Sequence, residues 1–275
     1  MFLNDLYHAL DPIAFYLGPL PVRWYGIAYL LGFVIGGFLL YHIARRWKLD
    51  LSSDDVVNIM TGICLGIVLG GRLGYVLFYG AGYYLSHPLE ILAINQGGMS
   101  FHGGLIGAIA GGSIVCKTSK ISIPTICDIG VCVAPVGLFF GRCANFINGE
   151  LWGKETDLPW GVMFPTGGDV YRHPSQLYEA LLEGVVMFVL LWLLWRKMPP
   201  RPQGTFMGVF LVWYGIARIL VEFVRVPDQQ LGYLFGVVTM GQLLSLPLII
   251  AGVALLVWAH KTQRPQVGHL VEAKE

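Results

Sequence analysis

The chain reads as an all-α integral membrane protein of about seven transmembrane helices, with its N-terminus outside and its C-terminus in the cytoplasm. Three observations predict this. Of its 275 residues 55% are hydrophobic and only 13% charged, about half the charge of an ordinary soluble domain. The mean hydropathy is +0.64, so lipid rather than water is the solvent such a surface needs. Lys and Arg gather at alternate ends of the apolar segments, as expected when positive loops stay inside. Eight Trp and thirteen Tyr suit a protein with two membrane interfaces.

The expected segments run over 24–43, 56–78, 101–116, 124–146, 177–195, 205–224 and 237–258. The second opens after Ser52-Ser53-Asp54-Asp55, a helix cap and acidic first turn. The third is short for a span of about 20 residues. After the first, third, fifth and seventh segments lie Arg45, Arg46, Lys48, Lys117, Lys120, Arg196, Lys197, Arg201, Lys261, Arg264 and Lys274, eleven of the eighteen basic residues. The opposite loops hold chiefly Arg23, Lys154, Arg172 and Arg225. One membrane domain is expected over 1–260, with a charged cytoplasmic tail over 261–275. Loops 79–98 and 151–174 fall on the outer side, where they are placed to cap a site.

Several function classes drop out. The net charge is +1 and no basic run interleaves with aromatics, so nucleic acid is not an expected partner. Cys64, Cys116, Cys127, Cys132 and Cys143 lie in apolar stretches without CxxC spacing, which reads as buried thiols rather than disulfides or zinc ligands. No basic n-region precedes the first apolar segment, so that segment is expected to remain as a helix. The halves share no repeat, which weighs against a secondary transporter. No motif asks for a cofactor or a metal.

The informative residues are ionisable groups inside or beside the apolar segments: Arg72, His102, Arg142 and, in segment six, Arg218 and Glu222. A charge at the bilayer centre costs about 2.5–3.5 kcal/mol on insertion scales, so such groups face a cavity or a partner. Tyr214, Arg218 and Glu222 recur every four residues and share one helical face. Arg142 and Asn145, three apart, share another. The topology carries Tyr25, His102, Arg142 and the segment-six stripe to one depth near the outer leaflet. Duller readings stay open for each: a structural Arg218–Glu222 pair, an Arg72 that snorkels to headgroups, a His102 that caps its helix, glycines that only let helices pack. A common depth is what they explain least. Arginine matches phosphate with a planar fork of donors, and histidine takes protons near neutral pH. At the outer leaflet the phosphate at hand belongs to a phospholipid. Cleavage of, or transfer from, such a lipid is the reading; a transporter and a structural scaffold are its rivals.

Four motifs carry a family resemblance: 141–153 (GRCANFINGELWG), 99–105 (MSFHGGL), 173–179 (HPSQLYE), and Tyr214-Gly215-Ile216-Ala217-Arg218 with Glu222. Together they resemble the signature of bacterial prolipoprotein diacylglyceryl transferases. The resemblance implies transfer of the sn-1,2-diacylglyceryl group from phosphatidylglycerol to the lipobox cysteine of a preprolipoprotein, leaving a thioether and glycerol phosphate. It implies catalytic roles for His102, Arg142 and Arg218, and substrate-binding roles for Tyr25, Arg142, Asn145, Glu150, Gly153, Tyr214 and Glu222. The implied partners are phosphatidylglycerol, the preprolipoprotein signal peptide and membrane lipids. A monomer in the bacterial cytoplasmic membrane, its active site facing the periplasm, is expected.

Overall fold

Ser52 accepts from the backbone of Asp55 and Asp55 returns a bond to Ser52, so the expected cap starts a 27-residue helix. The computed structural model, in which this cap lies, describes residues 2–80, 82–94, 97–227, 233–234 and 237–270. In order these form α1 (Phe2–His8), an antiparallel hairpin of β1 (Ile13–Leu17) and β2 (Leu20–Arg23), then α2 (Trp24–Arg46) and α3 (Ser53–Tyr79). A short turn of helix, α4 (Tyr83–Ser86), and a 3-10 turn, Pro88–Leu92, precede α5 (Phe101–Thr118) and α6 (Ile123–Ile147). Then come α7 (Ser175–Trp195), α8 (Thr205–Glu222) and α9 (Met240–Thr262), the last opened by a Thr239–Gln242 capping box.

Six helices among the described residues are long and apolar enough to cross a membrane: α2, α3, α6, α7, α8 and α9. The short third segment forms as the 18-residue α5 but is not among those six. Five glycines, His102 and Lys117 dilute its apolar character.

The chain divides into two compact units. The second, Ala44–Ile126 with Val267–Glu275, is built on α3 against α5. Gly62, Gly66, Gly70 and Gly74 recur every four residues on α3, as do Gly103, Gly107 and Gly111 on α5. A Cβ on Gly66 would run into the Gly107 carbonyl, and one on Gly111 into that of Gly62. This is small-residue packing in lipid, where close backbone approach replaces the hydrophobic drive. Gly66→Val should therefore force the pair apart, at about 1–3 kcal/mol for an overpacked contact. The expected readout is a thermal midpoint in detergent lowered by several degrees. Gly130→Ala, where an added Cβ meets nothing within 4 Å, should leave the midpoint where it was.

Within this unit residues 268–270 fold back. Gly268 accepts from Ser122 N at 2.9 Å, Leu270 N donates to Lys120 O at 2.7 Å, and His269 Nε2 lies 3.2 Å from Asp55.

The first unit, Met1–Ile43 with Cys127–Gln266, holds the remaining membrane helices. Gly184 seats α7 against Phe139 of α6, and Gly208 and Gly215 seat α8 against the α9 carbonyls of Gly252 and Ser245. Asp128, fully buried, accepts from Gly204 N, Met207 N and the Gln266 side chain, which fixes the start of α8. At the end of α6 and the start of α7, Tyr7, Phe146, Val162 and Phe164 form a small apolar core with Leu3, Trp152 and Leu177. The 151–174 loop is thus a packed head, held to α1 by Met163 N on the Asn4 side chain at 2.9 Å.

Candidate active site

The end of α6, the start of α7 and the end of α8 meet in the first unit, and three carboxylates and three arginines meet with them. Glu179 is the hub. Its Oε1 takes Arg218 at 2.6 Å and has Arg225 at 3.9 Å; its Oε2 lies 3.3 Å from Arg142. Arg142 also reaches Glu183 at 3.2 Å, and Arg218 closes an i,i+4 pair with Glu222 at 2.6 Å. Arg225 lies 3.7 Å from Glu222. Glu179 and Glu183 have no exposed side-chain surface, whereas Arg142 and Arg218 keep 16% and 15%. The carboxylates form a floor and the guanidiniums a partly open rim. Formally the six charges cancel, which is how a membrane interior tolerates them.

Local backbone explains the alignment. Residues Ala180–Val186 of α7 form a π-helical stretch, a conformation found mostly as short insertions at functional positions. Glu179 immediately precedes it and Glu183 lies in its first turn, and Trp213 Nε1 bonds the Leu182 carbonyl at 2.8 Å. Tyr214, Arg218 and Glu222 lie on one face of α8, with Tyr214 in Coulombic reach of Glu183, Arg142, Arg218 and Glu179. Gly241 presses α9 close: a Cβ there would strike the Glu222 carboxylate and Arg218 Nε.

A second group lies along the same α6 terminus. Asn145 and Asn148 both donate to Glu150 Oε1, at 3.0 and 3.3 Å. Gln176 Nε2 holds the Glu150 carbonyl at 2.6 Å and Ser175 Oγ that of Leu151 at 2.8 Å. Gly149, at φ +68°, packs where a Cβ would meet the Tyr7 hydroxyl. Tyr25, in the first turn of α2, has its ring centroid 5.1 Å from that of Tyr29. Gly153 bridges antiparallel to Arg225, and a Cβ there would meet the Val224 carbonyl at 2.6 Å and His173 Cβ at 2.7 Å. Only glycine lets this strand contact hold Arg225 beside Glu179 and Glu222.

Arg142, Arg218 and Glu222 are therefore joined through Glu179 and Arg218, with Tyr214 one turn before Arg218 on the same face of α8, while Asn145 and Glu150 lie at the end of α6 and Gly153 beside Arg225. His102 lies in the second unit, exposed on the first turn of α5, behind the Ser100 cap and edge-on to Phe101. Arg72, also in that unit, is 4% exposed and donates to the carbonyls of Glu90, Ile91, Gly97 and Gly98 at 2.5–3.2 Å. It anchors a loop and does not reach for a headgroup. The first unit has a histidine of its own at the end of the 151–174 loop, His173, whose Nδ1 is 3.2 Å from the Tyr178 hydroxyl. Burial and then the nearby Lys154 hold its imidazole below the usual histidine pKa.

Glu179, Glu183 and Arg225 are not among the site residues expected from sequence. Glu183 carried a signal, an acidic residue within the apolar run of 177–195, which the same insertion cost should flag. Glu179 ends the 173–179 motif. Arg225 carried none: it reads as an outer-loop cation until the Gly153 bridge places it.

Chemically, the arrangement offers partly exposed arginine donors on a buried carboxylate floor. Such a rim suits an anion that gains charge during reaction.

Residues 12–258 match the family described as prolipoprotein diacylglyceryl transferase. The chain is 52% identical over 248 residues to the phosphatidylglycerol–prolipoprotein diacylglyceryl transferase of Geobacter sulfurreducens, covering 90% of this chain and 95% of that protein. The proteins of the same name from Methylocella silvestris and Rhodospirillum rubrum are each 49% identical, over 264 and 258 residues. Those matches cover 94% and 93% of this chain, and 96% and 94% of the relatives.

Proposed function

The chain belongs to the prolipoprotein diacylglyceryl transferase family, and from that premise we infer how its residues carry out the reaction. It is a multi-pass membrane transferase that moves the sn-1,2-diacylglyceryl group of phosphatidylglycerol to the lipobox cysteine of a preprolipoprotein. A carbon–sulfur bond forms at the glycerol carbon, the carbon–oxygen bond to phosphate breaks, and the thiol proton leaves to a base. The products are a thioether and glycerol phosphate.

The observation that carries the residue assignment is the Arg142–Glu179–Arg218 junction, with Arg142 and Arg218 on opposite oxygens of one buried carboxylate. Phosphatidylglycerol carries one phosphate charge, and a second grows on the leaving monoester as the bond breaks. Arg142 and Arg218 stabilise that growing charge. Glu179, Glu183 and Glu222 hold their guanidiniums in place beforehand, so no reorganisation is needed at the moment of reaction. Asn145 and Glu150 orient the headgroup, Tyr25 and Tyr214 line the pocket, and Gly153 keeps the strand contact. We place the site toward the periplasmic face of the bacterial cytoplasmic membrane, following the distribution of Lys and Arg. The protein works as a monomer.

A thiol with a pKa of about 8.5 is only a few per cent ionised at neutral pH. His102 is the base that removes its proton. His102→Gln should flatten the acidic limb of the pH–rate profile and cut turnover by about 100-fold or more, the usual worth of a general base. An unchanged profile would remove His102 from this role. A change in His173→Gln instead would move the role to the histidine that shares a unit with the arginines. His173 suits it, since a lowered pKa leaves the imidazole neutral and proton-accepting at pH 7.

The whole assignment is tested with purified protein, phosphatidylglycerol vesicles and a lipobox peptide. A gel-mobility shift is expected with the cysteine peptide and none with its serine counterpart. No shift, where a known transferase gives one, would overturn it.

A further inference from the structure

The connection between α3 and α5 exposes more apolar surface than a water-facing loop carries. Leu85 and Leu89 are each 90% exposed and Leu92 is 77% exposed. Its one acidic side chain, Glu90, is turned to the Tyr83 hydroxyl at 3.0 Å, and residues 79–98 contain no Lys or Arg. Isolated exposed leucines are ordinary on proteins, but three within eight residues, with no charge between them left unengaged, form a patch.

Depth says what covers it. Ser100 N donates to Gly71 O at 2.9 Å, and Arg72 holds the carbonyls of Glu90, Ile91, Gly97 and Gly98. Gly71 lies eight residues before the end of α3, which is roughly 12 Å along a helix axis. The loop therefore does not rise above α3 as a cap. It returns alongside the last turns of α3, with four of its backbone carbonyls satisfied by one buried guanidinium. The 27 residues of α3 extend roughly 40 Å, longer than the hydrocarbon core of about 30 Å, which leaves enough length for these last turns to reach the interfacial layer. Leu77 and Phe78 of α3 and Phe101 of α5, exposed at 73%, 82% and 76%, flank the patch on the same helix ends. The leucines thus continue the apolar surface that the spanning helices turn to lipid.

We propose that the segment Tyr83–Leu92 lies in the plane of the membrane interface, with Leu85, Leu89 and Leu92 among the acyl chains and Arg72 as its internal anchor. Its partner is the lipid surface of one leaflet. Tyr83 and Tyr84, with amphipathic rings, sit in the layer that favours them. Its two short helical turns satisfy part of the backbone internally, and Arg72 supplies donors to the carbonyls of Glu90 and Ile91 that lipid lacks.

The test needs no turnover and so stands apart from the proposed reaction. The unmodified protein is placed in vesicles containing phosphatidylcholine with a photoactivatable group on the acyl chain, and adducts are mapped by mass spectrometry. Adducts on Leu85, Leu89 and Leu92 at a density like that of Leu77 and Phe78 are expected. Labelling of Leu77 and Phe78 with none on 83–92 would overturn the proposal. As a second reading, Leu85→Trp and Leu89→Trp add emission to the eight native tryptophans. That added emission should be largely lost in acyl-brominated phosphatidylcholine and spared by aqueous iodide. The reverse pattern would place the segment in water.

Discussion

Alanine in place of Arg142 or Arg218 is expected to lower diacylglyceryl transfer by about 100–1,000-fold each, the cost of removing one donor from a preorganised anion site. The protein should remain folded and inserted, for a reason visible in the partners. Arg142→Ala leaves Glu183 without its cation at 3.2 Å, but Glu179 keeps Arg218 at 2.6 Å. A buried carboxyl with no cation takes up a proton and becomes neutral instead of remaining a stranded charge. Arg218→Ala strips Glu222 of its closest partner but leaves Arg225 at 3.7 Å. Lysine substitution should restore little, because a point charge cannot bridge two carboxylates and a phosphate as a planar fork does. The check is initial rate of peptide lipidation against protein recovered monodisperse from membranes. Full turnover in both alanine variants would sink the role given to the arginines.

Glu179→Ala should do more damage, to the fold as well as to the rate. Arg142, Arg218 and Arg225 all converge on this carboxylate, which has no exposed surface. Its loss leaves three cations facing Glu183 and Glu222 alone, and arginine cannot shed its proton to escape. Breaking a buried ion pair by removing one partner typically costs about 3–5 kcal/mol, so a steep drop in thermal midpoint and in folded yield is expected together with loss of transfer. Glu179→Gln retains an acceptor for Arg218 without the charge and should fall between. A midpoint for Glu179→Ala equal to wild type would show that the three arginines do not depend on it.

Much of this site was legible because its signal is local. The Tyr214-Arg218-Glu222 stripe follows from helical spacing alone, and the Arg218–Glu222 pair is observed at i,i+4. Arg142 stood out as a charge in an apolar run. Glu183 was equally available by that reasoning but sits amid the leucines and valines of α7, where the run reads as a plain span. Its neighbour Glu179 gains meaning only when three helix ends come together, and no spacing within one segment encodes that. Arg225 needs a strand bridge to Gly153 across 72 residues, which periodicity cannot see.

The fold divides the same way. Caps and apolar runs locate α2, α3, α6, α7, α8 and α9, since burial in lipid demands length and hydropathy that the sequence displays. The glycines of α5 trade hydropathy for contact with α3, so packing and composition pull in opposite directions there. Arg72 reads as a snorkelling residue because its true partners are carbonyls, and backbone acceptors leave no mark in a sequence. The 151–174 loop looks polar and open, yet Tyr7 from the far N-terminus completes its core.

Thioether formation and departure of the phosphate are proposed to be one event at the arginine rim. It is tested most directly by counting both products in a single reaction: glycerol phosphate released and peptide lipidated, from headgroup-labelled phosphatidylglycerol. The two should appear one for one in wild type and fall together in Arg142→Ala and Arg218→Ala. Glycerol phosphate released without lipidated peptide, or lipidation in which the label leaves as free glycerol, would contradict it.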